Sequence, residues 1–183
     1  GTGSGKTTFM NVLIREIPKD ERLITLEDVR ELRVPHENWV AFTFGEFTTG
    51  EGEHVDNVTD LLNACLRMRP DRILLGEIRK ENAFTFCSAI NTGHRGSMAT
   101  IHSNSPKAAL DAVVNRVMLN GDTTESAIAM LIRQLKTDIY GVVQLERRGS
   151  RVVGYFQALN PEEDVIDKVA RETAEKRGDA PDA

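Results

Sequence analysis

Apolar residues recur along this chain with two different periods, and the two alternate. Phe9, Val12, Leu13 and Ile17 share a helical stripe, which predicts a helix from about Lys6 to Ile17, stopped by Pro18. A short strand follows at Arg22–Thr25, then an acidic loop, then a second strand at Val40–Phe44. Val58, Leu61, Leu62, Cys65 and Leu66 again have helical spacing, within a helix predicted over Val55–Met68 that ends before Pro70. Arg72–Leu75 is a compact apolar run of the kind that parallel sheets bury on both faces. A helix is predicted over Glu81–Ile90, a strand over Ser97–Ile101, and helices over Pro106–Leu119 and Thr124–Leu135. Tyr140–Glu146 and Arg151–Ala158 pair as a hairpin about Arg148, Gly149 and Ser150. The alternation predicts an α/β fold, with a mostly parallel sheet flanked by helices and a C-terminal hairpin. Residues 1–160 make the domain; residues 161–183 make an acidic tail, a loosely amphipathic helix that frays beyond Gly178.

Composition narrows the class. With 183 residues, 40% hydrophobic and 28% charged, the chain has enough apolar material for one globular core. The net charge of −5 is uneven, because Pro161–Ala183 carries eight acidic against four basic residues. The nearly neutral body argues against a broad basic surface gripping a nucleic-acid backbone. Cys65 and Cys87 lie in apolar stretches without CxxC spacing, as buried reduced thiols do. No run approaches the roughly 18 apolar residues of a membrane span, and none resembles a signal peptide. A soluble protein made in the cytoplasm is expected.

The chemistry begins at the first residue. Gly1, Thr2, Gly3, Ser4, Gly5, Lys6, Thr7 and Thr8 follow the phosphate-binding pattern G-x-x-x-x-G-K-[ST], with its opening glycine one place before Gly1. The chain is therefore read as starting inside its own motif, after the strand that would lead into it. Glycines let successive N–H groups turn inward as an anion cradle, and the helix that follows aims its positive end at the phosphates. Lys6 would reach the β- and γ-phosphates of ATP, and the Thr7 hydroxyl would ligate Mg2+. A flexible glycine-rich linker is the alternative; the apolar stripe that follows at once speaks against it.

Three further segments carry candidate groups. In Arg67–Arg79 an apolar strand ends at Glu77, placing a carboxylate at the sheet edge where open α/β folds bind ligands. Glu77 could hold Mg2+ or polarise a water; the plain alternative is a surface carboxylate paired with Arg79. In Leu23–Leu32 a strand runs into Glu27 and Asp28, which are either a second catalytic station or carboxylates meeting free N–H groups of a turn. In Gly93–His102 a short strand is bracketed by His94 and His102, which are either hydrogen-bonded structural groups or, from strand ends beside small residues, sensors of a terminal phosphate. His36 and His54 fall in polar loops and receive no role.

Together the phosphate loop, "LEDVREL", "LRMRPDRILLGEIR" and "TGHRGSMATIHSNSP" resemble the type II/type IV secretion traffic ATPases in order and approximate spacing, from Gly1 to about Leu159. The resemblance implies a RecA-like P-loop NTPase domain, one protomer of a homo-hexameric ring that hydrolyses ATP with Mg2+ between neighbouring subunits. It implies work at the cytoplasmic face of the inner membrane, peripheral to it, with secretion-system components as partners and no direct sequence-specific nucleic acid. By matching position, Lys6 and Thr7 bind phosphate and Mg2+, Glu27 belongs to an acidic box that positions water, Glu77 is the Walker B carboxylate, and His94 and His102 form a histidine box. Many type II members carry a four-cysteine zinc module, which two separated cysteines cannot build, so the chain resembles the conjugation and type IV branch more. It departs from the family at its start, where the first loop glycine and the N-terminal domain are absent. A nucleic-acid translocase on the same fold and a non-hydrolysing, nucleotide-binding assembly subunit are the alternative functions. Arg67, Arg69, Arg79 and Arg95 are the candidates for an arginine reaching a neighbour's site.

Overall fold

In the computed structural model of the chain, the described residues are 3–48, 54–56, 58–91, 93–119 and 124–159. Their elements run α1 (Lys6–Glu16), β1 (Leu23–Glu27), β2 (Trp39–Thr43), β3 (Glu46–Thr48), β4 (His54–Asp56), α2 (Val58–Arg67), β5 (Arg72–Leu75), α3 (Lys80–Asn91), β6 (Met98–Ala99), α4 (Pro106–Met118), α5 (Glu125–Asp138), β7 (Gly141–Arg148) and β8 (Arg151–Ala158). Gly1, Thr2 and the predicted acidic tail lie outside them.

The main sheet has the order β2-β1-β5-β6 with every pairing parallel. Its central strands read as unbroken apolar runs because helices cover both faces. All five positions of β1 are buried, and so are Ile73, Leu74 and Leu75 of β5. Strand parity then divides these residues between two cores. Leu23 and Leu74 pack with Met10 and Ile14 of α1 and with Ile17 just after it. Ile24, Leu26, Ile73 and Leu75 face the larger core, with Leu62, Cys65, Phe86 and Val113 from α2, α3 and α4. The parity that turns Leu23 and Thr25 toward α1 turns Glu27 the same way. Burial pushes the Cys65 thiol up to about 11 and the Cys87 thiol up to about 12, so both stay protonated and inert.

The predicted architecture holds: a parallel sheet, flanking helices and the antiparallel β7–β8 hairpin. Several boundaries differ. The helix expected from Val55 begins at Val58, because residues 54–56 form β4 and pair antiparallel with β3. The strand expected over Ser97–Ile101 is only Met98–Ala99. The first hairpin strand continues past Glu146 to Arg148, and the turn closes at Gly149, whose φ of 62° suits glycine. His36 is buried rather than in an open loop; its Nε2 is 3.1 Å from the carbonyls of both Ile17 and Pro18, pinning the end of α1.

Candidate nucleotide site

Parallel strands end on the same side, so one edge of the sheet collects the carboxyl ends of β1, β5 and β6. Register places Leu26 beside Leu75, and Leu75 beside Ala99. Glu27, Gly76 and Thr100 are therefore neighbours at that edge. A Cβ on Gly76 would lie 3.3 Å from Glu27 Cγ and 3.4 Å from the Leu26 carbonyl, so glycine is what lets the two strand ends approach.

The phosphate loop lies on the same side. Gly3 and Gly5 have φ of 76° and 88°, left-handed values that side chains avoid. Gly5 is the N-cap of α1 and makes no side-chain cap, so the first N–H groups of the helix stay available. Ser4 is buried, and its Oγ has no partner among the described residues. Glycine-shaped backbone, an orphaned hydroxyl and a helix N-terminus together fit a phosphate group.

Across the loop runs a chain of three side chains. Lys6 Nζ is 3.2 Å from His102 Nδ1, and His102 Nε2 is 3.4 Å from Glu77 Oε1. An ammonium can only donate, so Nδ1 accepts and the ring proton belongs on Nε2, facing the carboxylate. Lys6, His102 and Glu77 are thus brought together; His94 is not part of the chain. Its Nδ1 is 3.0 Å from the Ala89 carbonyl near the end of α3, a local structural bond.

Glu27 and Asp28 face different tasks. Glu27 is 3% exposed, and its Oε1 accepts from the N–H groups of Glu31 at 2.9 Å and Leu32 at 2.8 Å, which folds the acidic loop back on the strand end. Asp28 pairs with Arg79, linking this loop to the turn that carries Glu77. Thr7 and Thr8 line a cavity of about 430 Å³ with Asn11, Arg15, Glu31 and Arg33. Asn11 clamps the loop from α1, giving its amide to the Glu31 carbonyl at 3.1 Å and accepting from Arg33 N–H at 2.7 Å.

Sequence reading missed the hairpin's part in this edge. Arg147 Nε–H donates to the Gly3 carbonyl at 3.0 Å, and its cross-strand partner Val152 lies against Gly5. Since a trans peptide points C=O and N–H in opposite directions, turning the Gly3 carbonyl toward Arg147 turns the Ser4 N–H away from it. No local motif marks Arg147; only the fold brings it there.

These features define an α/β domain with its functional edge at the carboxyl ends of a parallel sheet, capped by a glycine-rich loop. The chain belongs to the type II/IV secretion system protein family, which it matches over residues 1–155. Protein VirB11 of Agrobacterium fabrum is 41% identical over 148 residues, 81% of this chain and 42% of that protein. The type IV secretion system protein PtlH of Bordetella pertussis is 42% identical over 151 residues, 82% of this chain and 44% of that protein. The crystal structure of the VirB11 ATPase from the Brucella suis type IV secretion system, in complex with sulphate, aligns with a TM-score of 0.70 at 32% identity, covering 86% of this chain and 46% of that one. The Legionella pneumophila ATPase DotB shares the fold, with a TM-score of 0.67 at 21% identity, covering 93% of this chain and 46% of that one. The chain spans less than half the length of these relatives.

Proposed function

We propose that this chain is the ATP-hydrolysing domain of a homo-hexameric motor for type IV secretion or conjugative transfer. The observation that carries the reading is the Lys6–His102–Glu77 chain at the mouth of the phosphate loop. ATP is the nucleotide proposed, and Thr7 and Glu77 are the residues that would hold Mg2+, which would neutralise phosphate charge when bound. The N–H groups at the start of α1 cradle phosphate oxygens. Lys6 exchanges its bond to His102 for one to the γ-phosphate. His102, released from Lys6, reports the exchange to Glu77, and we assign the sensing role to it rather than to His94. Glu77 accepts the proton of the attacking water. Glu27 acts by holding the acidic loop in shape beside that carboxylate. Work at the cytoplasmic face of the inner membrane, with other secretion components, belongs to the same proposal; no helix among the described residues is long and apolar enough to cross a membrane.

Arg147 sharpens the cradle. Arg147→Ala in the full-length protein is expected to weaken ATP binding about threefold to tenfold, the scale of one peptide left free to turn. Its exposed position predicts no loss of folding. Isothermal titration calorimetry reads the change directly, and an unaltered affinity would show that the Gly3–Ser4 peptide holds its orientation unaided.

Assembly supplies the test of the motor reading. Arg79 is engaged by Asp28, whereas Arg67, Arg69 and Arg95 make no side-chain ion pair among the described residues, which leaves them as the candidates for a neighbour's site. An arginine provided in trans raises turnover by roughly 10³-fold or more. Specific activity of the full-length protein should therefore climb with protein concentration as rings form. Alanine at the operative arginine should remove turnover and spare binding, and mixing that variant with Lys6→Ala should restore part of the activity. Flat specific activity from dilute monomer to ring, without rescue on mixing, would mean that each subunit holds a complete site.

A further inference from the structure

We propose that Asn82 is a positioning residue for Glu77, acting through the main chain of the turn that carries it; this rests on the ATPase reading above. The turn is Gly76–Arg79, between β5 and α3, and its backbone groups are held from three sides. Gly76 N–H donates to the Leu26 carbonyl at 2.8 Å, and Ile78 N–H to the Thr100 carbonyl at 2.8 Å. The Thr100 hydroxyl donates to the Gly76 carbonyl. Two further groups of the turn, the Glu77 carbonyl and the Arg79 N–H, are met by a single side chain. Asn82 Nδ2 donates to the Glu77 carbonyl at 3.0 Å, and Asn82 Oδ1 accepts from Arg79 N–H at 2.9 Å.

The two halves of that amide serve different ends. Accepting from Arg79 N–H is ordinary capping of α3, because a helix N-terminus presents spare donors and needs acceptors. Donating to the Glu77 carbonyl does nothing for the helix. It fixes the peptide that follows Glu77, and with it the direction in which the Glu77 carboxylate meets His102 Nε2. Asn82 is 0% exposed, so no solvent molecule stands ready to replace either bond. Only a side chain with a donor and an acceptor on neighbouring atoms can do both at once.

This division makes the role separable from capping. In the full-length protein, Asn82→Asp keeps an acceptor for Arg79 N–H but sets a carboxylate oxygen against the Glu77 carbonyl. It is expected to bind ATP within about threefold of wild type and to lose kcat by about 10²-fold, the cost of misplacing a catalytic group by an ångström. Asn82→Ala should lose kcat to a similar extent. The double variant Asn82→Asp with Glu77→Gln should be no slower than Glu77→Gln alone, since both act on one group. Should the buried carboxylate prevent folding, Asn82→Ala carries the test: combined with Glu77→Gln it should be no slower than Glu77→Gln alone, whereas a residue that only caps α3 would give additive losses. Wild-type kcat in Asn82→Asp, or additive losses in the double variant of Asn82→Ala with Glu77→Gln, would reduce the residue to a helix cap and overturn the proposal. An inactive wild-type protein would instead overturn the ATPase reading on which it rests.

Discussion

Replacing Lys6 with alanine in the full-length protein is expected to abolish ATP turnover and to weaken nucleotide binding by about 100-fold or more. Charge-assisted hydrogen bonds contribute about 1.5–3 kcal/mol each, and an ammonium that faces phosphate makes more than one. The loss should appear in affinity as well as in rate, because Lys6 meets the phosphate before any bond breaks. It should not appear in folding. Lys6 lies at the start of α1, and among the described residues its side chain bonds only to His102, itself well exposed, so the two cores remain untouched. Calorimetry with ATP, run beside a thermal unfolding scan, separates the two quantities. Wild-type affinity in Lys6→Ala would remove the loop from the site.

Glu77→Gln is expected to show the opposite split. The amide keeps the size of the carboxylate and can still accept from His102 Nε2–H at Oε1. It cannot take a proton from water, and it is a poor ligand for a hard cation. Turnover should fall by about 10²- to 10⁴-fold, the range of a lost general base, while ATP affinity stays within about threefold. Lys6→Ala and Glu77→Gln thus form a pair, one failing at binding and one at chemistry. A Glu77→Gln protein that hydrolyses ATP at the normal rate would mean that Glu77 is the plain surface carboxylate the sequence also allowed.

What a sequence reveals of its fold depends on the kind of force that holds each element. Elements held by burial were legible. The unbroken runs of β1 and β5 carry the signature of two covered faces, and a parallel sheet with a common functional edge follows from them. The stripe expected on α1 was the wrong one: Val12 and Leu13 are exposed, and Met10 and Ile14 join Ile17 in the core, because apolar residues stand on more than one side of this helix. Very short elements were not. The β3–β4 ribbon is made of three-residue strands, too short for any alternation to show, so Val55 and Asp56 read as the first residues of the next helix. Tertiary placement of single polar residues was also hidden. His36 looks like a loop residue until the carbonyls of Ile17 and Pro18 close on it.

The same distinction runs through the site. Gly5, Lys6 and Glu77 announce themselves, since glycine-rich turns and a carboxylate after an apolar strand are local signals. His94 and His102 were equivalent by sequence, each at the end of one short strand. The structure parts them, because only the turn leading into α4 returns to the phosphate loop. There Ser105 caps the helix by accepting from Ala108 N–H at 3.1 Å, and Pro106 occupies its first turn. Asn82 did leave a trace: a polar residue three places beyond Arg79, beside the apolar positions Ala83 and Phe86, is where a capping side chain belongs. Its second bond, to the Glu77 carbonyl, has no counterpart in that pattern. Arg147 left none, since 144 residues separate it from Gly3.

The most direct measurement is release of inorganic phosphate from ATP by the full-length wild-type protein, with Mg2+ present and with it chelated, across concentrations that span ring assembly. Release should require Mg2+, grow per subunit as rings form, and be lost in Glu77→Gln although that variant still binds nucleotide. Tight binding of ATP by the wild-type protein with no phosphate released at any concentration would contradict the ATPase reading, and would make the chain a nucleotide-binding assembly subunit instead.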